Sequence, residues 1–343
     1  MRRRSLLSAI AATSLLAVTT ACSADSSAAT KDGLTTVTLA LDWTPNTNHT
    51  GIYVAQAEGW FEDAGIDLKI VPYGSTAPET LIAAHKADFG ISYQEGVTTA
   101  RAAGADITSV YAVTQKTNVT IAVRADRGGI SSPRDLDGKT YAGFGAPYEK
   151  PLLKTVIQNA GGKGDFRQIT LNTSAYAALY AGKADFAMPM PTWEGLEAEL
   201  SGKPLKNFQL SDYGFPAIYS TLVASSDRFL KKNPAVARKF LAAVDKGYRY
   251  AAQHPDKAAD LLISQNRSVL TNTELVKKSE ALLAKEYYKT ADGTIGVQSA
   301  ERWQAFADFE YKAGLLVDAN SKKLTKAPDA SEFFTNDYLP AAK

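Results

Sequence analysis

The chain has 343 residues, with 38 lysines and arginines against 36 aspartates and glutamates, for a formal net charge of +2. No block of five or more like charges occurs, so the basic stripe of a nucleic-acid-binding surface is absent. The single cysteine excludes an intramolecular disulfide. Neither His85 nor His254 has a second His, Cys or acid at metal-ligand spacing, so no metal site is expected.

Residues 1–21 read as a secretory signal: Arg2, Arg3 and Arg4 supply charge, Leu6 to Val18 is apolar, and Thr19, Thr20 and Ala21 are small. The apolar run falls short of the roughly 20 residues that cross a bilayer. Cys22 follows at once and resembles the lipid-modified cysteine of a bacterial lipobox. That implies a diacylglycerol anchor at Cys22 and a protein tethered to the extracytoplasmic face of the cell membrane. Residues 22–33 are small and polar and suit a flexible leash. Beyond the signal the chain carries 35 basic and 36 acidic residues, since residues 1–21 hold three arginines and no acids. About 310 residues remain for folding, comfortable for two domains.

Strand-like and helix-like segments then alternate. Val37–Trp43 is β-branched and apolar, and a helix with Tyr53, Ala57 and Ala64 on one face stops at Gly65. Asp67–Tyr73 alternates as a strand. Thr80–Lys86 reads as helix, Asp88–Tyr93 as strand, Glu95–Ala103 as helix and Ser109–Val113 as strand. After Val119–Arg124, Ser131-Ser132-Pro133 starts a helix. A second series follows: strand 139–143, helix 150–159, strand 166–171, helix 175–181 and strand 185–190. Ser220–Ser225 is a further strand, and the remainder is helical, over about 233–251, 256–265, 272–287 and 299–313. Such alternation implies βαβ units and a largely parallel sheet. Lys86-Ala87-Asp88-Phe89 recurs as Lys183-Ala184-Asp185-Phe186 at matching places in the two series. Two similar units would bring similar strand ends to one shared cleft.

Leu41-Asp42-Trp43-Thr44-Pro45-Asn46-Thr47-Asn48-His49-Thr50-Gly51 resembles the opening signature of NMT1/THI5-like solute-binding proteins, in the branch serving ABC importers of thiamine pyrimidine precursors. The similarity continues through Gly59-Trp60-Phe61, the stretch Lys86 to Glu95, Gly143 to Lys150 and Thr192-Trp193-Glu194-Gly195, and extends over residues 35–340. It implies a type II periplasmic-binding fold, α/β in class. Lobe 1 would span 34–122 and 223–343, lobe 2 would span 123–222, and the ligand cleft would lie between them. It also implies a monomer that captures a small pyrimidine ligand, of formylaminopyrimidine or hydroxymethylpyrimidine type, and delivers it to ABC permease and ATPase subunits. No cofactor is expected.

A flat heteroaromatic ring is held by stacking and by directed hydrogen bonds at strand ends. Trp43 and Tyr93 are the candidate stacking faces, Trp193 a further aromatic, and Glu194 the acceptor for an exocyclic amine. Asp42, Asn46 and His49 shape or line the first loop. Gly143 and Gly145 flank a strand-to-helix turn whose N–H groups suit a polar oxygen or an anion. Trp60 and Trp303 are expected in cores. An enzymatic branch of the family makes the pyrimidine with a lysine and a histidine after the third strand and a cysteine-rich motif further on. Here Ser92 and Gly96 stand at those places and no cysteine follows Cys22, so binding is expected rather than catalysis. Binding of an alkanesulfonate, nitrate or another small solute is the alternative, disfavoured by Asp42, Glu95 and Glu194 at the strand ends.

Overall fold

The computed structural model describes residues 33–341, so the signal, Cys22 and the leash up to residue 32 lie outside the described residues. Two five-stranded sheets form. The first contains β1 (Thr35–Ala40), β2 (Ile66–Val71), β3 (Phe89–Ser92) and β4 (Thr108–Ala112). The second contains β5 (Thr120–Arg124), β6 (Thr140–Gly143), β7 (Arg167–Thr170), β8 (Phe186–Ala187) and β9 (Leu205–Gln209). The chain then returns, and β10 (Leu222–Ser225) joins the first sheet. The orders are β2-β1-β3-β10-β4 and β7-β6-β8-β5-β9, the same arrangement twice.

Each sheet is mixed rather than nearly all parallel. β1 runs parallel to β2 and β3, and β6 to β7 and β8, while β10 and β5 run antiparallel to both of their neighbours. Parallel neighbours need a crossover connection. β5 and β10 instead enter their sheets directly from the other lobe, so no helix turns them round. The repeated Lys-Ala-Asp-Phe tetrapeptide does the same work in both sheets. Asp88 Oδ2 accepts from the Thr38 N–H at 2.8 Å and Asp185 Oδ2 from the Thr140 N–H at 2.7 Å. Phe89 and Phe186 are both fully buried.

Segment 131–136 forms one capped 3₁₀ turn instead of a longer helix, because strand β6 begins only four residues later. β9 escapes the sequence reading: in Leu205–Gln209 only Phe208 is buried, as suits an edge strand.

The helical tail packs mainly on the first sheet. Helix Pro234–Gln253 stacks Phe240 on Phe89 at 3.9 Å between ring centroids. Trp303, on helix Ala300–Lys312, is fully buried on the sheet's other face, while Trp60 sits at a rim with Lys246 Nζ 4.0 Å above its ring. Arg302 grips both connections between the sheets: its guanidinium lies 4.4 Å over the Tyr219 ring and donates to the Gln115 carbonyl at 2.8 Å. No helix among the described residues is long and apolar enough to cross a membrane.

Helix Thr50–Ala57 crosses helix Pro234–Gln253 where Gly51 meets Gly247. A Cβ on Gly247 would run into the Gly51 carbonyl, and one on Gly51 into the Tyr248 ring. A Gly247→Ala variant should therefore lose at least about 2 kcal/mol of stability, the usual scale for overpacking. Denaturant unfolding checks this, and an unchanged midpoint would show the crossing to be loose.

Candidate functional site

The carboxyl ends of β1, β3, β6 and β8 meet the starts of β5 and β10 around a cavity of about 130 Å³. An enclosed space near 150 Å³ accommodates benzene, so this volume suits one substituted ring and not a nucleotide or peptide. Asp42 and Trp43 follow β1, and Tyr93 and Glu95 follow β3. Phe144, Tyr148 and Glu149 follow β6, and Met188 and Met190 follow β8. Tyr176 contributes from helix Ala175–Tyr180. The Trp43 ring lies 5.1 Å from Phe144, across the cleft, and 5.6 Å from Tyr73. Tyr93 and Tyr148 face each other at 6.1 Å. A larger neighbouring cavity of about 380 Å³ shares Trp43 and Tyr176 and is walled by Tyr180, Trp193, Glu194 and Glu197. Among the described residues, no lysine, arginine or histidine lines either space.

The expected site residues thus separate into groups. Asp42, Trp43 and Tyr93 come together at the inner cavity. Trp193 and Glu194 line the outer one, with Trp193 also packed against the helical tail beside Tyr53 and Leu262. Asn46 and His49 are buried behind the first loop and line neither cavity. They form a capping box instead. Asn46 Oδ1 accepts from the Asn48 N–H, and the Asn46 N–H donates to His49 Nδ1. With Nδ1 accepting, the proton sits on Nε2, which donates to Asp42 Oδ1 at 2.9 Å. His49 therefore orients Asp42.

Gly143 and Gly145 correct the expectation of a free N–H cradle. The Phe144 and Gly145 N–H groups donate to the two carboxylate oxygens of Glu149, each at 2.9 Å. The anion of this turn is the chain's own. Gly145 is needed for its φ of +102°, and a Cβ on Gly143 would strike Tyr141 and Glu149.

Sequence reading missed Phe144, Tyr148, Glu149, Tyr176 and the two methionines. Of these, the residues after Gly143 could have been found by extending the strand-end logic to β6. Tyr176 carries no signal, since its helix reads as an ordinary amphipathic one.

Burial governs the electrostatics. Glu95 and Glu194 are each pushed up to about 7 by desolvation, and burial raises Glu149 as well, opposed by the N–H groups it accepts. The loop that carries Asp42 and Trp43 rests on a further buried acid. Glu280, on helix Thr273–Glu286, is fully buried among the hydroxyls of Thr50 and Tyr288, both of which also reach the Thr47 carbonyl. Those four contacts outnumber the two hydroxyl protons, and a protonated Glu280 supplies a third. Desolvation lifts Glu280 to about 8.

Its folded form holds a proton that the unfolded chain releases near 4.5, so folding stability falls as pH rises from about 4.5 to about 8. Glu280→Gln should flatten that fall by up to about 1.4 kcal/mol per pH unit. Denaturant unfolding from pH 5 to 8 measures it, and parallel slopes for wild type and variant would refute the buried proton.

Comparison with known proteins places the family and the fold. Residues 46–258 match the family model described as NMT1/THI5 like. The formylaminopyrimidine-binding protein of Halalkalibacterium halodurans is 30% identical over 299 residues, 84% of this chain and 89% of that one. A 4-amino-5-hydroxymethyl-2-methylpyrimidine phosphate synthase of Saccharomyces cerevisiae is 26% identical over 234 residues, 65% of this chain and 68% of its own. Among solved structures, the alkanesulfonate-binding protein of Xanthomonas axonopodis pv. citri superposes with a TM-score of 0.65 at 17% identity, covering 88% of this chain and 98% of that one. The chain belongs to the NMT1/THI5-like family and has the periplasmic-binding-protein fold.

Proposed function

We propose that this member of the NMT1/THI5-like family is the solute-binding lipoprotein of an ABC importer and captures a thiamine pyrimidine precursor. The observation that carries the reading is the inner cavity: one ring in volume, walled by Trp43, Phe144, Tyr93 and Tyr148, edged by Asp42, Glu95 and Glu149, and lined by no cationic side chain among the described residues. Trp43 and Tyr93 serve as stacking faces, and Trp193 and Glu194 wall the larger space through which a substituent on the ring extends. The lobes are 34–122 with 223–343, and 123–222, and they close on the ligand as a monomer before delivery to the permease.

The same features speak against the alternatives. A sulfonate, nitrate or phosphate group would meet carboxyl groups and, among the described residues, no lysine or arginine in either cavity. The positions where the family's synthases carry a lysine and a histidine are built for something else. Ser92 donates to Glu79, and a Cβ on Gly96 would stand 2.8 Å from Glu79 Oε1. Catalysis therefore lacks its amine and its imidazole, and the role is capture.

Calorimetric titration with a formylaminopyrimidine, a hydroxymethylpyrimidine and taurine is the direct test. Saturable binding of a pyrimidine is expected, and Trp43→Ala should weaken it at least about 10-fold, because base–aromatic stacking contributes roughly 1–3 kcal/mol. Saturable binding of taurine alone would overturn the reading. The anchor is tested separately: Cys22→Ser should release the protein from membranes into the soluble exported fraction, and retention of the variant would overturn lipidation at Cys22.

A further inference from the structure

The three carboxyl groups lining the inner cavity differ in what their oxygens already do. Glu149 spends both on the Phe144 and Gly145 N–H groups. Asp42 gives Oδ1 to His49 and keeps its side chain partly exposed. Glu95 is 5% exposed, and its Oε2 is buried with no hydrogen-bond partner. Such an atom is rare in a folded protein and calls for a partner, and Glu95 is one of the residues that line the cavity. The groups that face Glu95 are Tyr93 on its own segment, Tyr148 across the cleft, Asp42 and Glu149 on the cavity wall, and Glu310 on helix Ala300–Lys312. None of them is cationic, and burial pushes the Glu95 carboxyl up to about 7.

A protonated carboxyl presents one donor and one acceptor side by side. An N=C–NH2 ring edge presents one acceptor and one donor in the complementary order. We propose that Glu95 is the specificity residue of the cleft, its carboxyl pairing at two points with the N=C–NH2 edge of an aminopyrimidine held between Trp43 and Tyr93. The proposal rests on the pyrimidine reading above and sharpens it. It moves recognition of the exocyclic amine from Glu194, whose Oε2 already accepts from the Met190 N–H and which lines the outer cavity, to Glu95. Glu310, 1% exposed with both oxygens unpartnered, has its own carboxyl raised well above the usual range by burial and by the neighbouring Glu95.

Calorimetric titration of the full chain with 4-amino-5-hydroxymethyl-2-methylpyrimidine, and with the same ring lacking its exocyclic amine, tests this. Wild type should prefer the amine-bearing ring at least about 30-fold, because a site built to pair a polar group rejects the analogue that lacks it. Glu95→Leu should lose about 100-fold on the amine-bearing ring and little on the other. Glu95→Gln, which keeps one donor and one acceptor in place, should recover part of that loss. Wild-type affinity should fall as pH rises above about 7, where the free carboxyl gives up the shared proton, and Glu95→Gln should stay flat over the same range. A wild type that binds the pyrimidine with no preference for the amine and no such decline would overturn the role of Glu95 alone, even if Glu95→Leu fails to fold. A wild type that binds neither ring would overturn the pyrimidine reading beneath it.

Discussion

A buried polar loop has to find hydrogen-bond partners inside the protein, and in the loop from Asp42 to Thr50 only Asn48 Oδ1, among the buried side-chain atoms, is left without one. Asn46, Thr47, Asn48, His49 and Thr50 are all buried, so water cannot serve them. Asn46 and His49 close a capping box, Thr47 meets the hydroxyl of Ser279, Thr50 meets Glu280, and Tyr248 and Tyr288 donate to the carbonyls of Asn48 and Thr47. Ser279, Glu280, Tyr248 and Tyr288 all come from the helical tail, at least 200 residues further along the chain. The loop is therefore rigid only once the tail has docked, and the Gly51–Gly247 crossing brings the tail near enough. Asp42 and Trp43 reach the cavity as the free end of that assembly.

A second constraint follows from the carboxyl groups. Glu79, Glu95, Glu149, Glu194, Glu280 and Glu310 are all buried, and none of them forms an ion pair with a basic side chain among the described residues. A buried carboxyl without a cation is kept by hydrogen bonds or by a proton. Glu149 takes the first course through two backbone N–H groups, and Glu280 the second. The fold thereby offers acids that act as donors and acceptors rather than as charges, which is what a neutral heteroaromatic edge requires.

How much of this the sequence reveals depends on distance along the chain. Strand ends are local features, so alternation placed Asp42, Trp43 and Tyr93 at strand ends, and the family resemblance pointed from there to the cleft. The tetrapeptide repeat disclosed the doubled βαβ unit for the same reason, since each aspartate pairs with a strand of its own unit. Asn46 and His49 belong to a motif distinctive enough to identify a family, yet their task is internal to the loop, and nothing in their spacing says which way they face. Glu149 stays hidden because its partners, Phe144 and Gly145, look like a cradle for an outside anion until the helix that follows is seen to fold its first carboxylate back onto them. Glu95 was visible only as an acid at a strand end. That one of its oxygens is buried without a partner is a fact of packing, and no sequence window contains it. β9 and the antiparallel sense of β5 and β10 were out of reach because they follow from the chain crossing between lobes.

The likeness to an alkanesulfonate-binding protein shows how little the fold itself decides. At 17% identity the two chains share an architecture, and the architecture fixes only that strand ends meet at a cleft. What enters is set by the side chains those ends carry. An anion about 5 Å from one ionised carboxylate is opposed by about 3 kcal/mol at an effective dielectric constant near 20. Three carboxyl groups line the inner cavity here, and among the described residues no lysine or arginine lines it to offset them. Binding an anion would require those acids to hold protons and would still leave the anion without a cationic partner. A neutral ring with an amine at its edge needs no cationic partner, and it uses the proton that burial leaves on one acid. The aromatic walls accept its faces, and an acid that keeps its proton can pair with its edge, so the burial that makes the cleft inhospitable to anions makes it complementary to an aminopyrimidine.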